Sequence, residues 1–402
     1  MKKLVDDLAF FGGKPEFVSV KTTMNLPKPD EDIFFRELKH SFDAHEISNN
    51  GPLVKKLERK LADFHQVKYC VAFCSCFVGM SIAIREMAVP GRSEIVIPSL
   101  TYRRMADIVL WAGYLPRFCD VDPVTLGVTP KEVEPCINKN TALLLAPHPI
   151  SNLCDLDGME QLARNHGLPL LIDAVEAFGG SYNGKMIGSF GDAESFSLHP
   201  SKVVNGAEGG IITTNDRSLA ETLRAHRMYG FRENGEIRGL GCNAKMNELH
   251  AAMSLASFSV LEDLLEENKK EHLCYQEQLA SMDGLRIVKY PEHERRNWKS
   301  VLVEIESSWP LTRKQTLDIL NEEKIWARAY YSPAQHTTIL KQAGAGETPL
   351  PVTKEAVEKY FLLPFGHSVS TDDIKRIAKV LVFMRANSDA IRRRYEEQAD
   401  EA

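Results

Sequence analysis

The sequence has no long apolar run, no excess of positive charge and no cysteine pattern that would build a metal site. No stretch of its 402 residues approaches the roughly 18 consecutive apolar residues of a membrane span, so a membrane is not expected as a partner. Against 55 acidic residues stand 49 basic ones, a formal net charge of -6. On average that leaves no basic face for nucleic acid or an anionic surface. The 8 cysteines are scattered, and Cys74 and Cys76 are the one close pair. Zinc sites want two C-x-x-C-like pairs or a matched histidine pair, so no metal is expected and reduced core thiols are the reading that remains. The start, MKKLVDDLAFFGGKPEF, brings Asp6 and Asp7 in before any apolar run, unlike a secretory signal. A cytoplasmic protein with a small-molecule ligand is the expectation. Internal repeats and low-complexity tracts are also missing.

What is present is the composition of an ordinary globular chain, 44% hydrophobic and 26% charged, long enough for one large domain and a smaller one. From Lys68 onward, short apolar runs alternate with helical patterns: KYCVAF before GMSIAIREM, SEIVIPS before RRMADIVLWAG, TALLLAPH before GMEQLARNHG, then LPLLIDAVEAFGG. Runs that are apolar throughout suit strands buried on both faces, and intervening helices imply a mainly parallel α/β sheet. AESFSL and GGIITTND are expected to be strands meeting at a loop. MNELHAAMSLASFSVLEDLLEENKKEHLCYQEQLASM reads as one helix long enough to bridge domains. The expected division is an N-terminal arm and helix over 1–45, a large α/β domain over 46–265 and a small α+β domain over 266–402.

Lys202 lies between those two strands, in SFSLHPSKVVNGAEGG. Most lysines are surface charges, but one that forms a Schiff base must be held at a fixed point. Gly206, Gly209 and Gly210 would let backbone approach a bulky cofactor there. Upstream, Asp173 ends the apolar run LLID. A buried carboxylate is the usual means of keeping a pyridine nitrogen protonated, as pyridoxal phosphate requires; taken singly, Asp173 is equally a helix cap.

With these residues in this order, the chain resembles the DegT/DnrJ/EryC1/StrS family of pyridoxal-phosphate-dependent aminotransferases, over nearly its whole length. The resemblance implies fold type I, with a mainly parallel seven-stranded sheet. It makes Lys202 the Schiff-base lysine and proton shuttle, Asp173 the partner of the ring nitrogen, and Ser197, five residues before the lysine, a ligand of the cofactor phosphate. PSLTY matches the family element whose last aromatic stacks on the ring, which selects Tyr102. GCNAKMNELHAA matches the element whose asparagine reaches the partner subunit's cofactor, so Asn243 takes that role and a homodimer with shared active sites is implied. Read locally, Asn243 is instead a helix N-cap. The implied reaction cycles the cofactor through its pyridoxamine form, taking nitrogen from glutamate or glutamine and giving it to a keto group of a nucleotide-linked deoxysugar, in secondary-metabolite or surface-glycan synthesis. A changed reaction or substrate on the same cofactor, and a non-catalytic regulatory homologue, are the alternatives.

Several positions depart from the family pattern. Where S-G-T-A-A-L normally finishes a phosphate cup at a helix start, the chain has Cys76 and Phe77, leaving Cys76 a backbone contact and Ser75 as a substitute hydroxyl. Glu176 stands where glutamine or histidine neighbours the cofactor's phenolic oxygen. It must be protonated, share a cation with that oxygen, or point away. Arg103 and Arg104 replace small or apolar residues and read either as a solvated face or as an anion clamp. His148 is retained in PHPIS, but the glycine of V-H-L-Y-G is not. Arg103, Tyr331 and His336 are the expected substrate contacts.

Overall fold

The computed structural model describes residues 2–24, 26–231, 235–237, 239–291, 294–338 and 348–401. Seven strands form the main sheet: β1 (Tyr69–Phe73), β2 (Glu94–Pro98), β3 (Leu115–Cys119), β4 (Thr141–Pro147), β5 (Leu170–Asp173), β6 (Ala193–Ser197) and β7 (Gly210–Thr214). Their order is β1-β7-β6-β5-β4-β2-β3. Only β7 runs against its neighbours, pairing antiparallel with β1 and β6. The seven-stranded, mainly parallel sheet expected above is therefore present. Its inner strands are apolar on both sides because helices cover both faces: Ile95, Val96 and Ile97 of β2 and Leu143 to Leu145 of β4 are all buried.

The small lobe is an antiparallel four-stranded sheet built from Leu285–Ile287, Val301–Ile305, Tyr360–Leu363 and Arg328–Ala329, in that spatial order. Helices Arg313–Glu322 and Thr371–Ala386 pack on it. The N-terminal arm belongs to this lobe by packing: Leu8, Phe11 and Phe17 share a core with Ile319, Ile325 and Phe361. Buried Glu323 accepts the N–H groups of Ala9 (2.7 Å) and Glu16 (2.6 Å). Lys21–Thr22 pairs in parallel with Ile325–Trp326, which carries Thr23 and Met24 to the junction of the lobes.

The long helix expected after Met246 is two helices, Glu248–Ser259 and Leu261–Leu279. The chain leaves helical geometry at Val260 (φ -107°, ψ 13°). β-Branched Val260 is a weak helix former, and Ser259 Oγ turns back on the Ala256 carbonyl at 2.7 Å, competing with the backbone ladder.

Candidate active site at the carboxyl edge of the sheet

Parallel strands leave their carboxyl ends on one edge, and the loops there build the site. β5 ends at Asp173 beside Pro147 of β4 and Ser195 of β6. β1 ends at Phe73, opposite Gly210, and turns through Ser75 into the helix α1 (Cys76–Met87). Together with the small lobe these ends enclose a cavity of about 450 Å³. It is lined by Lys202, Asp173, Ser197, Tyr102, Glu176, Cys76, Phe77, Arg103 and Tyr331, so nine of the residues expected from the sequence meet there.

The loop carrying Lys202 is fixed at several points. Leu198 N–H bonds to Gly209 O, Gly206 N–H to Leu198 O, and Asn205 N–H to Ser257 Oγ at 2.8 Å, while Val203 and Val204 are buried. Two of the three glycines face protein atoms rather than the cavity. A Cβ on Gly206 would meet Ser254 Oγ at 2.5 Å, and one on Gly210 would lie 2.3 Å from Cys76 Cα. Gly210 thus admits the first turn of α1 against β7, and of the three only Gly209, at φ +147°, lines the cavity. That close approach sets the helix N-terminus at the cavity wall. Ser75 caps it, its Oγ accepting from Val78 N–H, and Gly79 N–H bonds to Ser75 O. The N–H groups of Cys76 and Phe77 are left for an anion. Gly210→Ala should destabilise the chain by about 1–3 kcal/mol, as overpacking against backbone does, and weaken binding of a phosphate group. Melting and phosphate-ester affinity test this, and unchanged affinity would show that the helix position is irrelevant to the anion.

Asp173 is 7% exposed and has no salt-bridge partner among the described residues. Its Oδ1 accepts from Val175 N–H at 3.2 Å. Burial raises its pKa to about 7, against the opposing pull of that hydrogen bond and of Lys202. His148 donates its backbone N–H to Asp173 O and accepts from Cys154 N–H at Nδ1 (3.2 Å). Burial lowers its pKa to about 3, so the ring is neutral and carries its proton on Nε2, which has no partner among the described residues.

Glu176 is held by two cations from this chain itself. Lys202 Nζ donates to Oε1 at 2.7 Å, and Lys299 Nζ lies 2.7 Å from Oε2. Burial alone would raise the Glu176 pKa, but the two ammonium groups outweigh it and hold the carboxylate ionised. Lys202 follows the same balance in reverse: burial would lower its pKa, and Glu176 raises it instead. In Lys299 burial wins, lowering the pKa to about 8 with Glu176 opposing. The sequence reading missed Lys299. Its only signal was indirect, the need of Glu176 for a cation.

On the outer side, Tyr102 is 51% exposed, an aromatic face turned to the cavity. Phe77 packs edge-on to Trp111, with ring centroids 6.4 Å apart. Arg103 faces Arg328 of the small lobe closely enough that, after burial, its charge is what most lowers the Arg328 pKa. Neither has an acidic partner among the described residues, whereas Arg104 pairs with Asp107 at 3.2 Å on the surface. His199, Ser201 and Ser300 also line the cavity and were not foreseen. His336 does not line it; its Nδ1 sits 2.7 Å from Ser99 Oγ behind the wall. Asn243 does not line it either. It is exposed and bridges to Met228, and the N-cap of the following helix is Asn247, which accepts from His250 N–H at 2.9 Å.

Known proteins share this sequence pattern and fold. The model of the DegT/DnrJ/EryC1/StrS aminotransferase family matches residues 29–382. The dTDP-4-amino-4,6-dideoxy-D-glucose transaminase of Shigella dysenteriae is 27% identical over 92% of this chain and 98% of its own. The spore coat polysaccharide biosynthesis protein SpsC of Bacillus subtilis is 28% identical over 83% of this chain and 90% of its own. Among solved structures, that of DesI in the presence of its TDP-sugar product superimposes with a TM-score of 0.92, at 32% identity, over 98% of this chain and all of that one.

Proposed function

The chain belongs to the DegT/DnrJ/EryC1/StrS aminotransferase family, and from that premise we propose that it moves an amino group from glutamate or glutamine to a keto group of a nucleotide-linked deoxysugar. It is a pyridoxal-phosphate-dependent enzyme. The observation that carries the reading is one cavity holding both Lys202 and a buried Asp173 that has no salt-bridge partner among the described residues.

The residues fit the cofactor. Asp173 would gain from a cationic partner, because burial, against the pull of Val175 N–H and Lys202, raises its pKa to about 7. His148 offers an unsatisfied Nε2–H on the same wall. The first turn of α1 and Ser197 would hold the phosphate, Tyr102 would stack on the ring, and Lys202 would carry the aldehyde carbon. When bound, the cofactor supplies an electron sink and a carrier for the amino group. Asp173 would hold a proton at the ring nitrogen. Lys202 Nζ would take and return protons as general base and acid, and Glu176 would hold that amine when charged.

Arg103, Arg328 and Tyr331 give the cavity a positive and aromatic lining, which suits a ligand with an anionic group, either the donor's carboxylate or the diphosphate of a nucleotide sugar. The active unit is a cytoplasmic homodimer in this reading. Asn243 lies exposed among Tyr229, Phe231 and Leu240, large apolar side chains open to solvent in the single chain, a surface of the kind that partners cover. Among the described residues no helix is long and apolar enough to cross a membrane.

The test is direct. Glutamate or glutamine with a nucleotide-linked 4-keto-6-deoxy sugar should yield the amino sugar, detected by mass. Mixing an Asn243→Ala subunit with a Lys202→Ala subunit should restore part of the activity each lacks alone, since one site of the mixed dimer is then intact. Exchange between amino and oxo acids with no nucleotide sugar accepted would reject the substrate class. Mixed dimers without rescue would reject the shared site.

A further inference from the structure

We propose that Lys299 is a positioning residue for Lys202: through Glu176, one buried carboxylate shared by two lysines, it fixes where the Lys202 amine sits and competes with it for the same negative charge. The proposal rests on the reading of Lys202 as the cofactor lysine.

The geometry is specific. Each Glu176 oxygen holds one ammonium at 2.7 Å, and the carboxylate lies in the turn after β5 while Lys299 enters from the small lobe, just before the strand Val301–Ile305. Buried Asn297 fastens the two segments. Its Nδ2 donates to Glu176 O (3.0 Å) and Phe178 O (3.1 Å), and its Oδ1 accepts from Lys299 N–H (3.2 Å). Asn268 in turn donates to Asn297 O at 3.0 Å. Backbone held this closely at both ends leaves the pair little freedom to separate. Where the family resemblance puts a neutral glutamine or histidine, this chain thus carries a carboxylate with its own counter-charge from the other lobe. The Lys202 amine would be covalently engaged in part of a catalytic cycle and so could not keep its place as a free ammonium on Glu176 throughout. Lys299 can.

The charges facing these groups come from every side. Lys202 faces Glu176, Asp173 and the Cys76 thiol, and Lys299 faces Glu176 and Lys202. Glu176 is also felt by Arg328, Tyr330 and Tyr331 of the small lobe. Removing Lys299 leaves the whole carboxylate to Lys202 and relieves it of a like charge, so Lys202 should bind its proton more tightly. Removing the charge of Glu176 leaves Lys299 with no facing anion and Lys202 with Asp173 alone, so both should bind protons less tightly.

The full-length chain, stripped of cofactor, can be pulse-acetylated with acetic anhydride across pH, and the peptides of Lys202 and Lys299 quantified by mass spectrometry. Lys299→Met should move the Lys202 midpoint up and Glu176→Gln should move both midpoints down, each by roughly 1–3 pH units, the range for a neighbouring charge. Lys299→Arg should return Lys202 towards its wild-type midpoint. A Lys202 midpoint that does not move in Lys299→Met overturns the proposal. Should that variant fail to fold, Glu176→Gln decides alone, and a shift of Lys202 without Lys299 overturns it. Borohydride reduction of the loaded wild type is the separate arm: cofactor trapped on another lysine would sink the reading of Lys202, whatever the acetylation shows.

Discussion

Lys202→Ala is expected to lower amino transfer by at least about 10⁴-fold while the chain stays folded. General acid–base catalysis by one positioned group is worth roughly 10² to 10⁴, and Lys202 also supplies the covalent attachment point, so the two losses compound. Stability should hold for a reason visible in the site. Breaking a buried ion pair commonly costs about 3–5 kcal/mol, because a charge is left alone in the interior. Here Glu176 keeps Lys299 at 2.7 Å after Lys202 is gone. Single-turnover rates and thermal melting, measured on the same preparation, separate the two effects. A variant that retains turnover within tenfold of wild type would show that another amine does this work, and one that melts far below it would show that Lys299 does not compensate.

The same site shows what one dimension of sequence can and cannot reveal. Lys202 and Asp173 were legible because Asp173 ends β5 and Lys202 lies in the loop that follows β6, strands whose apolar pattern is local and whose order in the sheet puts both on one edge. Lys299, Arg328 and Tyr331 were harder, since they come from the small lobe and no spacing in the chain announces where that lobe docks. Gly210 was noticed, but its role depends on which atoms lie opposite, and those belong to Cys76, more than a hundred residues away. Asn243 and Asn247 illustrate a smaller failure of the same kind: both precede a helical pattern, and only the turn geometry selects Asn247 as the cap. The N-terminal arm looked independent because its apolar residues, Leu8, Phe11 and Phe17, have their partners at the other end of the chain.

Asp173→Asn should separate stability from catalysis, with opposite signs. In the cofactor-free protein burial holds the Asp173 pKa near 7, above its ordinary value of 3.8. Below about pH 3.8 the carboxyl is protonated folded or unfolded and contributes no cost. Between there and about pH 7 the unfolded chain has given up the proton and the folded one has not, so stability falls as pH rises. Above about pH 7 the folded protein carries an unpaired buried carboxylate and the whole cost is present. Since one pKa unit corresponds to about 1.4 kcal/mol, the cost is of the order of a few kcal/mol. An asparagine does not titrate, and its oxygen can still accept from Val175 N–H, so the cofactor-free variant should melt higher than wild type at pH 8 and no higher at pH 4. Catalysis should move the other way. The amide cannot hold a proton on the ring nitrogen, and a hydrogen bond to a charged group is worth about 1.5–3 kcal/mol, which is roughly a 10- to 100-fold loss of rate. Adding cofactor should raise the melting temperature of wild type more than that of the variant, because only wild type gains a cation for its buried anion. A variant that melts alike at both pH values, or that turns over normally, would mean that Asp173 is not the group waiting for that cation.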